Sequence, residues 1–312
     1  MKLATVERPG GSATVAAAFE ADGKTWLADM APDKGGLDMM SLLAGGDEAM
    51  TALRDRLAAI TSDLDSARSR GLVMSPDDVR FLPPIPRPGK IIGVGVNYRD
   101  HIEQAARQLG EESPVVQTLR SATKPVGFAK LPSTQIGHGG EIAYPAITEQ
   151  FDFEAELGVV IGKPCRNITP DEAMSAIAGY MNTNDLSLRE VQMAEMAQGI
   201  LFLGKNVEGT LPAGPYLVTS DEIGDPQALS IRCWVNGRLF QDGGTATMVH
   251  SVAKLVSHFS QFMTLEPGDM FITGSPAHAD IPMPERFLTP GDVIEIEISG
   301  LGRLCNTIGP TA

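Results

Sequence analysis

Cysteine is scarce in this chain, with three residues in 312 (Cys165, Cys233 and Cys305), odd in number and far apart. That excludes a disulfide framework and a cysteine-built zinc site, and it reads as free thiols in a reducing compartment. Positive charge is short as well, 25 Lys and Arg against 39 Asp and Glu, for a net charge of −14. Such a balance argues against a nucleic-acid or anionic-membrane surface as partner. Long apolar runs are missing. No stretch approaches a bilayer span, and Met1 to Pro9 lacks the apolar core of a signal peptide, so the cytoplasm is the expected compartment. No internal period stands out, so a repeat protein is not expected. What is present is 43% hydrophobic and 21% charged residues, an ordinary globular balance with ample core for one large domain or two.

Residues 1–80 read as a small α+β unit. Two strand-like runs, Thr14 to Phe19 and Thr25 to Ala28, flank Asp22-Gly23, a hairpin signal, and Asp47 to Ser69 carries helical spacing. Residues 81–89, with four prolines, read as an extended linker, and 90–312 as a second unit. Lys90 to Val96 reads as a buried strand leading to a helix that ends near Leu109. Its Gly93-x-Gly95 is no dinucleotide loop, because Tyr98 stands where the third glycine is needed. Glu111 to Pro145 reads as loop-rich. Thr169-Pro170 with Glu172 predicts a capped helix running to about Gly179, and Leu188 to Gln198 a second one. The rest is largely strand, with Asn236-Gly237 turning a hairpin, a helix over Thr247 to Met263, a buried strand at 269–274 and a half-buried one at Val293 to Ile298.

One stretch carries most of the chemistry: Phe151-Asp152-Phe153-Glu154-Ala155-Glu156-Leu157, running into Gly158-Val159-Val160-Ile161-Gly162. It reads as one strand, so Asp152, Glu154 and Glu156 share a face opposite Phe151, Phe153, Ala155 and Leu157. Three carboxylates on one face repel unless something positive sits above them. Two readings are open: a solvated strand face in an acidic protein, or a site for a hard divalent cation.

The blocks Gly95-Val96-Asn97-Tyr98-Arg99-Asp100-His101, Phe128-Ala129-Lys130-Leu131-Pro132-Ser133, the acidic stretch through Lys163, Gly179 to Glu190, Phe202-Leu203-Gly204-Lys205, Val235-Asn236-Gly237, Thr264 to Asp269 and Thr273-Gly274-Ser275-Pro276 stand in one order. Together they resemble the fumarylacetoacetate hydrolase family, over about Ile91 to Ile308. The resemblance implies an α+β, β-rich fold: a mixed β-sandwich roll preceded by a small N-terminal α+β domain, assembled as a homodimer. It implies one divalent cation per subunit, Mg²⁺ ahead of Mn²⁺ or Ca²⁺, on Glu154, Glu156 and Asp185, with Asp152 as a neighbour of the ligands.

By the same resemblance His101 is the general base and Lys205 the cation that stabilises an enolate or oxyanion. Arg189 and Gln192 touch substrate or organise the pocket, Ser275 contacts substrate, and Lys130, Ser133 and Tyr98 line the site. The sequence departs from the family in three places. Gln104 stands where a Glu often follows the His, with Glu103 one position earlier. Glu208 stands for an Asp, and Ala277-His278-Ala279-Asp280 replaces a glycine-containing loop, leaving His278 as a specificity residue or a plain loop histidine. A serine-hydrolase elbow is excluded, because Thr273 stands where Ser275 would need a glycine. The expected substrate is a small 2-oxo or 2,4-diketo acid. The expected reaction is hydrolysis of a carbon–carbon bond in an acylpyruvate-type acid through a metal-bound enolate. The alternatives on the same site are a decarboxylase, a tautomerase, a sugar-acid dehydratase, or a silent acid-binding protein.

Overall fold

The computed structural model describes residues 1–31, 38–279 and 285–312; Asp280 of the loop singled out above lies outside them. The Asp22-Gly23 turn forms as read, with φ of 54° and 70°, joining strands Ala13–Ala21 and Lys24–Asp29. Positive φ at both central residues is what a tight two-residue hairpin requires. Asn236-Gly237 does the same at φ 50° and 77° between Ser230–Val235 and Arg238–Gly244.

Twelve strands make the larger sheet. Its path runs from Val73–Met74 through Lys24–Asp29, Ala13–Ala21, Lys2–Glu7, Leu211–Thr219, Ile177–Asn184, Ala155–Ile161, Met270–Ile272 and Ile91–Val94 to Gly127–Lys130. The strands of residues 2–29 thus join the same sheet as those of the second unit, through the pairing of Lys2 with Val218 and Leu3 with Leu217. Between them, residues 82–90 have no regular structure, as four prolines dictate, yet Ile85 is fully buried and Thr5 donates to the Pro84 carbonyl at 2.8 Å.

A five-stranded sheet, in the order Arg238–Gly244, Ser230–Val235, Val293–Ile298, Arg303–Thr311, Glu141–Tyr144, packs on one face of the larger one. The core between them holds Leu157, Val159, Ile231, Cys233, Ile296 and Leu304. The opposite face, with Val160, Met181, Met270 and Ile272, is covered by N-terminal side chains such as Leu42, Leu53 and Ile60. Val159 and Val160 enter different cores because successive side chains alternate across a strand. That double burial is why Leu157 to Ile161 is an unbroken apolar run. Strands, helices and mixed sheets together give the α+β, β-rich fold expected.

Four local expectations change. The acidic stretch is not one strand: Phe151–Asp152 pairs with Ser187–Leu188 as a separate ribbon, and the main strand starts at Ala155. Phe153 and Glu154 lie at the break, so alternation through 152, 154 and 156 does not hold. Thr169 does form a capping box with Glu172, but the helix covers only Pro170–Ala173, a tighter turn follows, and strand resumes at Ile177. The pairing of Val160 with Gly179 and Ile161 with Ile177 claims that segment for the sheet. The loop-rich region contains a helix, Pro114–Ser121, and the helix expected over Thr247 to Met263 is Val252–Ser260, capped by Ser251. Among the described residues no helix is long and apolar enough to cross a membrane.

Candidate metal centre and active site

Antiparallel pairing sets the core of the site. Ala155 lies opposite Asn184 and Glu156 opposite Thr183, so the start of one strand meets the end of its neighbour. Asp185, one residue past that end, donates its N–H to the Glu154 carbonyl at 2.9 Å, and the Asn184 side chain accepts from the Glu154 N–H at 3.0 Å. Glu154, Glu156 and Asp185 thereby present carboxylate oxygens within 4.8 Å of one another, all three buried.

Cations surround two of the three. The Lys205 ammonium donates to Glu154 (2.5 Å), Asp185 (2.7 Å) and the Ser187 hydroxyl (2.7 Å), which engages all three of its N–H groups. Lys130 donates to Asp185 at 2.6 Å and to the Lys205 carbonyl. Arg189 binds Asp152 and Glu154, each at 2.8 Å, and its third nitrogen holds Gln192 at 2.8 Å. Burial works against the charge on Glu154, but Lys205 and Arg189 more than offset it and hold the carboxyl well below the usual range. Burial likewise works against the Lys205 ammonium, and Asp185 and Glu154 keep it above its ordinary value.

Glu156 differs. Among the described residues no ammonium or guanidinium is within ion-pair distance of it, and its carboxylate has one hydrogen bond, from the Gly274 N–H at 2.7 Å. Burial, then Asp185 and Glu154, push its carboxyl well above the usual range. A buried carboxylate beside two others, with no cation of its own, fits a site completed by a divalent ion, and the donors are the hard oxygens such ions prefer.

The base candidate comes from a strained approach. Val96 has φ 45°, unfavourable for a β-branched residue, and Asn97 holds it there. The Asn97 side chain donates to the His250 and Thr273 carbonyls (3.0 Å each) and accepts from the His250 N–H (2.9 Å). The helix Arg99–Leu109 follows and carries His101 half-buried, its Nδ1 shielded and, among the described residues, without a hydrogen-bond partner. Burial lowers the imidazole from its ordinary value against the pull of Glu154, with Arg189 and Lys205 adding to the lowering. His101 therefore lies within electrostatic reach of the same charged cluster.

The other candidates are placed as follows. Glu103 is exposed and binds Arg120 at 2.6 Å, while Gln104 is buried against the loop at His278. Ser275 is buried and accepts from Gln241 at 2.7 Å, and Tyr98 is fully buried. Ser133 is exposed, its carbonyl taking the Gly209 N–H at 3.3 Å. Two side chains escaped the sequence reading. Gln241 joins Ser275 to the Ala155 N–H, and Arg286 binds Asp152 at 2.9 Å. Both are lone polar residues in β-rich sequence, and no local pattern announces them.

Fold and site define an acidic-cluster enzyme on a mixed β roll. The family model for the C-terminal part of fumarylacetoacetate (FAA) hydrolase matches residues 90–309, and the chain belongs to that family, whose members are enzymes. It is 40% identical over 225 residues to a 2,4-didehydro-3-deoxy-L-rhamnonate hydrolase of a Sphingomonas strain, covering 72% of this chain and 74% of that one. It is 35% identical over 274 residues to an oxaloacetate tautomerase of Bacillus subtilis, covering 87% of this chain and 86% of the relative. Its structure superposes on a maleylpyruvate hydrolase from a Sphingobium species, solved with manganese(II) and pyruvate, with a TM-score of 0.73, 25% identity and full coverage of both chains.

Proposed function

We propose that this enzyme binds a small 2-oxo acid beside Glu154, Glu156 and Asp185 and interconverts its keto and enol forms, with oxaloacetate as the substrate to try first. The carrying observation is the isolation of His101. Glu103 is engaged by Arg120, and both ends of the Gln104 carboxamide are engaged by the His278 backbone. Moving a proton at carbon needs one base, and a neutral imidazole with a lowered affinity for protons serves at neutral pH.

Glu154, Glu156 and Asp185 would hold one divalent cation, Mg²⁺ or Mn²⁺, which when bound would polarise the 2-oxo carbonyl and so acidify the C–H bond beside it. His101 would take a proton from that carbon and deliver it to the enolate oxygen to give the enol, and the reverse transfer would regenerate the ketone. Lys205 pairs with Glu154 and Asp185, and Lys130 with Asp185, so two ammonium groups lie beside the carboxylates, where positive charge favours an enolate oxygen over a neutral carbonyl. Buried Ser275 and Tyr98 wall the same region and exclude water.

Hydrolysis of a carbon–carbon bond in an acylpyruvate-type acid is the second reading. The hydrolases among the relatives favour it, with His101 alone activating water. Mixing metal-loaded protein with oxaloacetate and with an acylpyruvate separates the two. Accelerated decay of the near-ultraviolet enol band with no new acid supports tautomerisation. Stoichiometric release of two acids supports hydrolysis, and neither result would sink both.

Two companion expectations stay with this proposal. A homodimer is supported by a run of exposed apolar side chains, Met193, Met196, Ile200, Phe202 and Leu203, that a second copy would cover; a monomer in sedimentation analysis would refute it. A cytoplasmic location is supported by three free cysteines.

A further inference from the structure

Two ties run from the His101 helix to the loop at residues 275–279, and one tie runs on from that loop to the backbone carbonyl of Phe153, the residue before Glu154. The Gln104 carboxamide donates to the His278 carbonyl at 2.8 Å and accepts from the His278 N–H at 3.1 Å. Asp100 accepts from the Ala277 N–H at 3.1 Å. Positions 100 and 104 lie one turn apart on one helix face, so the two ties fix the helix in rotation as well as in distance. His101, the next residue round the helix, is thereby given its direction.

The His278 ring carries the link onward. Its Nε2 lies 2.9 Å from the Phe153 carbonyl, which can only accept, so Nε2 bears the proton. Phe153 is at the strand break and is followed at once by Glu154. The ring is buried, edge-on to Phe153 with centroids 5.1 Å apart.

We propose that Gln104 and His278 are positioning residues, a brace that sets His101 relative to Glu154. This rests on the reading of His101 as the proton carrier. It also accounts for the departure at position 104. A carboxylate there could not donate to the His278 carbonyl and would set a charge against it, whereas the amide donates and accepts at once and so serves as a clamp.

The test uses the full chain loaded with Mn²⁺, with hydrogen–deuterium exchange read by mass spectrometry over residues 99–109 and 151–156. Gln104→Ala and Gln104→Glu should speed exchange in the helix, leave the Mn²⁺ dissociation constant as in wild type, and lower kcat roughly tenfold with little change in KM, the size typical of lost supporting contacts. His278→Phe keeps the backbone clasp and loses the ring donor. It should speed exchange over 151–156, leave the helix as in wild type, and lower kcat similarly. Unchanged exchange in both segments, changed exchange with wild-type kcat, or a gain in activity for Gln104→Glu would each overturn the brace. If wild-type protein turns over none of the 2-oxo acids tried, the proposed function fails alone, and the exchange and Mn²⁺ measurements still decide whether the brace exists.

Discussion

Lys205 and Glu154 are in contact inside the protein, Nζ to Oε2 at 2.5 Å, with both residues buried. The pair is half of a charge arrangement, since the same ammonium also reaches Asp185 at 2.7 Å. One cation thus holds two of the three carboxylates that would bind metal, before any metal arrives. That keeps like charges together in a dry interior, where unpaired they would take up protons instead.

Removing that ammonium should therefore leave buried negative charge that Arg189 and Lys130 offset only in part and that a divalent ion would offset further. Lys205→Met should destabilise metal-free protein by about 3–5 kcal/mol, the usual cost of stripping one partner from a buried ion pair. The rise in melting temperature on adding Mn²⁺ should exceed that of wild type. Calorimetry of both proteins with and without Mn²⁺ checks this, and equal metal-induced shifts would count against it.

Glu156 predicts the opposite sign. Its folded-state carboxyl sits well above the usual range, from burial first and then from Asp185 and Glu154. A raised acid favours folding below its unfolded value and loses that contribution as pH climbs through the folded value. Metal-free wild type should lose stability relative to Glu156→Gln as pH rises above about 4.3, the unfolded reference for Glu. The variant should be the more stable apoprotein at neutral pH, and should show no Mn²⁺-induced rise in melting temperature. Melts across the pH range with chelator and with Mn²⁺ provide the comparison.

Much of this was legible in the sequence. The hairpins at Asp22-Gly23 and Asn236-Gly237 follow from turn chemistry alone, and the apolar run Leu157 to Ile161 announces a strand buried on both sides. Glu154 and Glu156 stood out as paired acids. Their grouping with Asp185 depends on the register of Ala155 with Asn184, which no local pattern contains, so it came from the family resemblance. The strand break at Phe153–Glu154 was invisible for a related reason. Alternation of apolar and acidic residues continues across it, while the chain itself turns to pair Asp152 with Ser187. The contact between Gln104 and His278 spans 174 residues and leaves no trace in either neighbourhood.

Arg189 divides its guanidinium among Asp152, Glu154 and Gln192, so its work in this structure is internal. Arg189→Lys keeps the charge but cannot bridge Asp152 and Glu154 with a planar fork. A loss of about 2 kcal/mol in urea unfolding is expected, in the range for hydrogen bonds to charged groups. Substrate KM should move less than kcat, because Glu154 shifts while no direct substrate contact is lost. A large rise in KM at constant kcat would instead make Arg189 a substrate ligand.

Gly274 links the backbone to the metal cluster. Among the described residues its N–H supplies the one hydrogen bond to the Glu156 carboxylate, and its φ of 87° lies where side chains are strained. A Cβ there would stand 3.1 Å from the Asn97 Cβ and 3.2 Å from the Asn97 nitrogen, at the residue that secures the strained turn before His101. Gly274→Ala should cost about 1–2 kcal/mol in backbone conformation alone. It should also weaken Mn²⁺ binding, since relief of the contact moves the N–H away from Glu156. Gly291 provides the control, with φ 95° and open space around a would-be Cβ. Gly291→Ala should lose similar stability and bind Mn²⁺ as wild type does. If the two variants bind Mn²⁺ equally well, the Gly274 N–H does not set the position of Glu156.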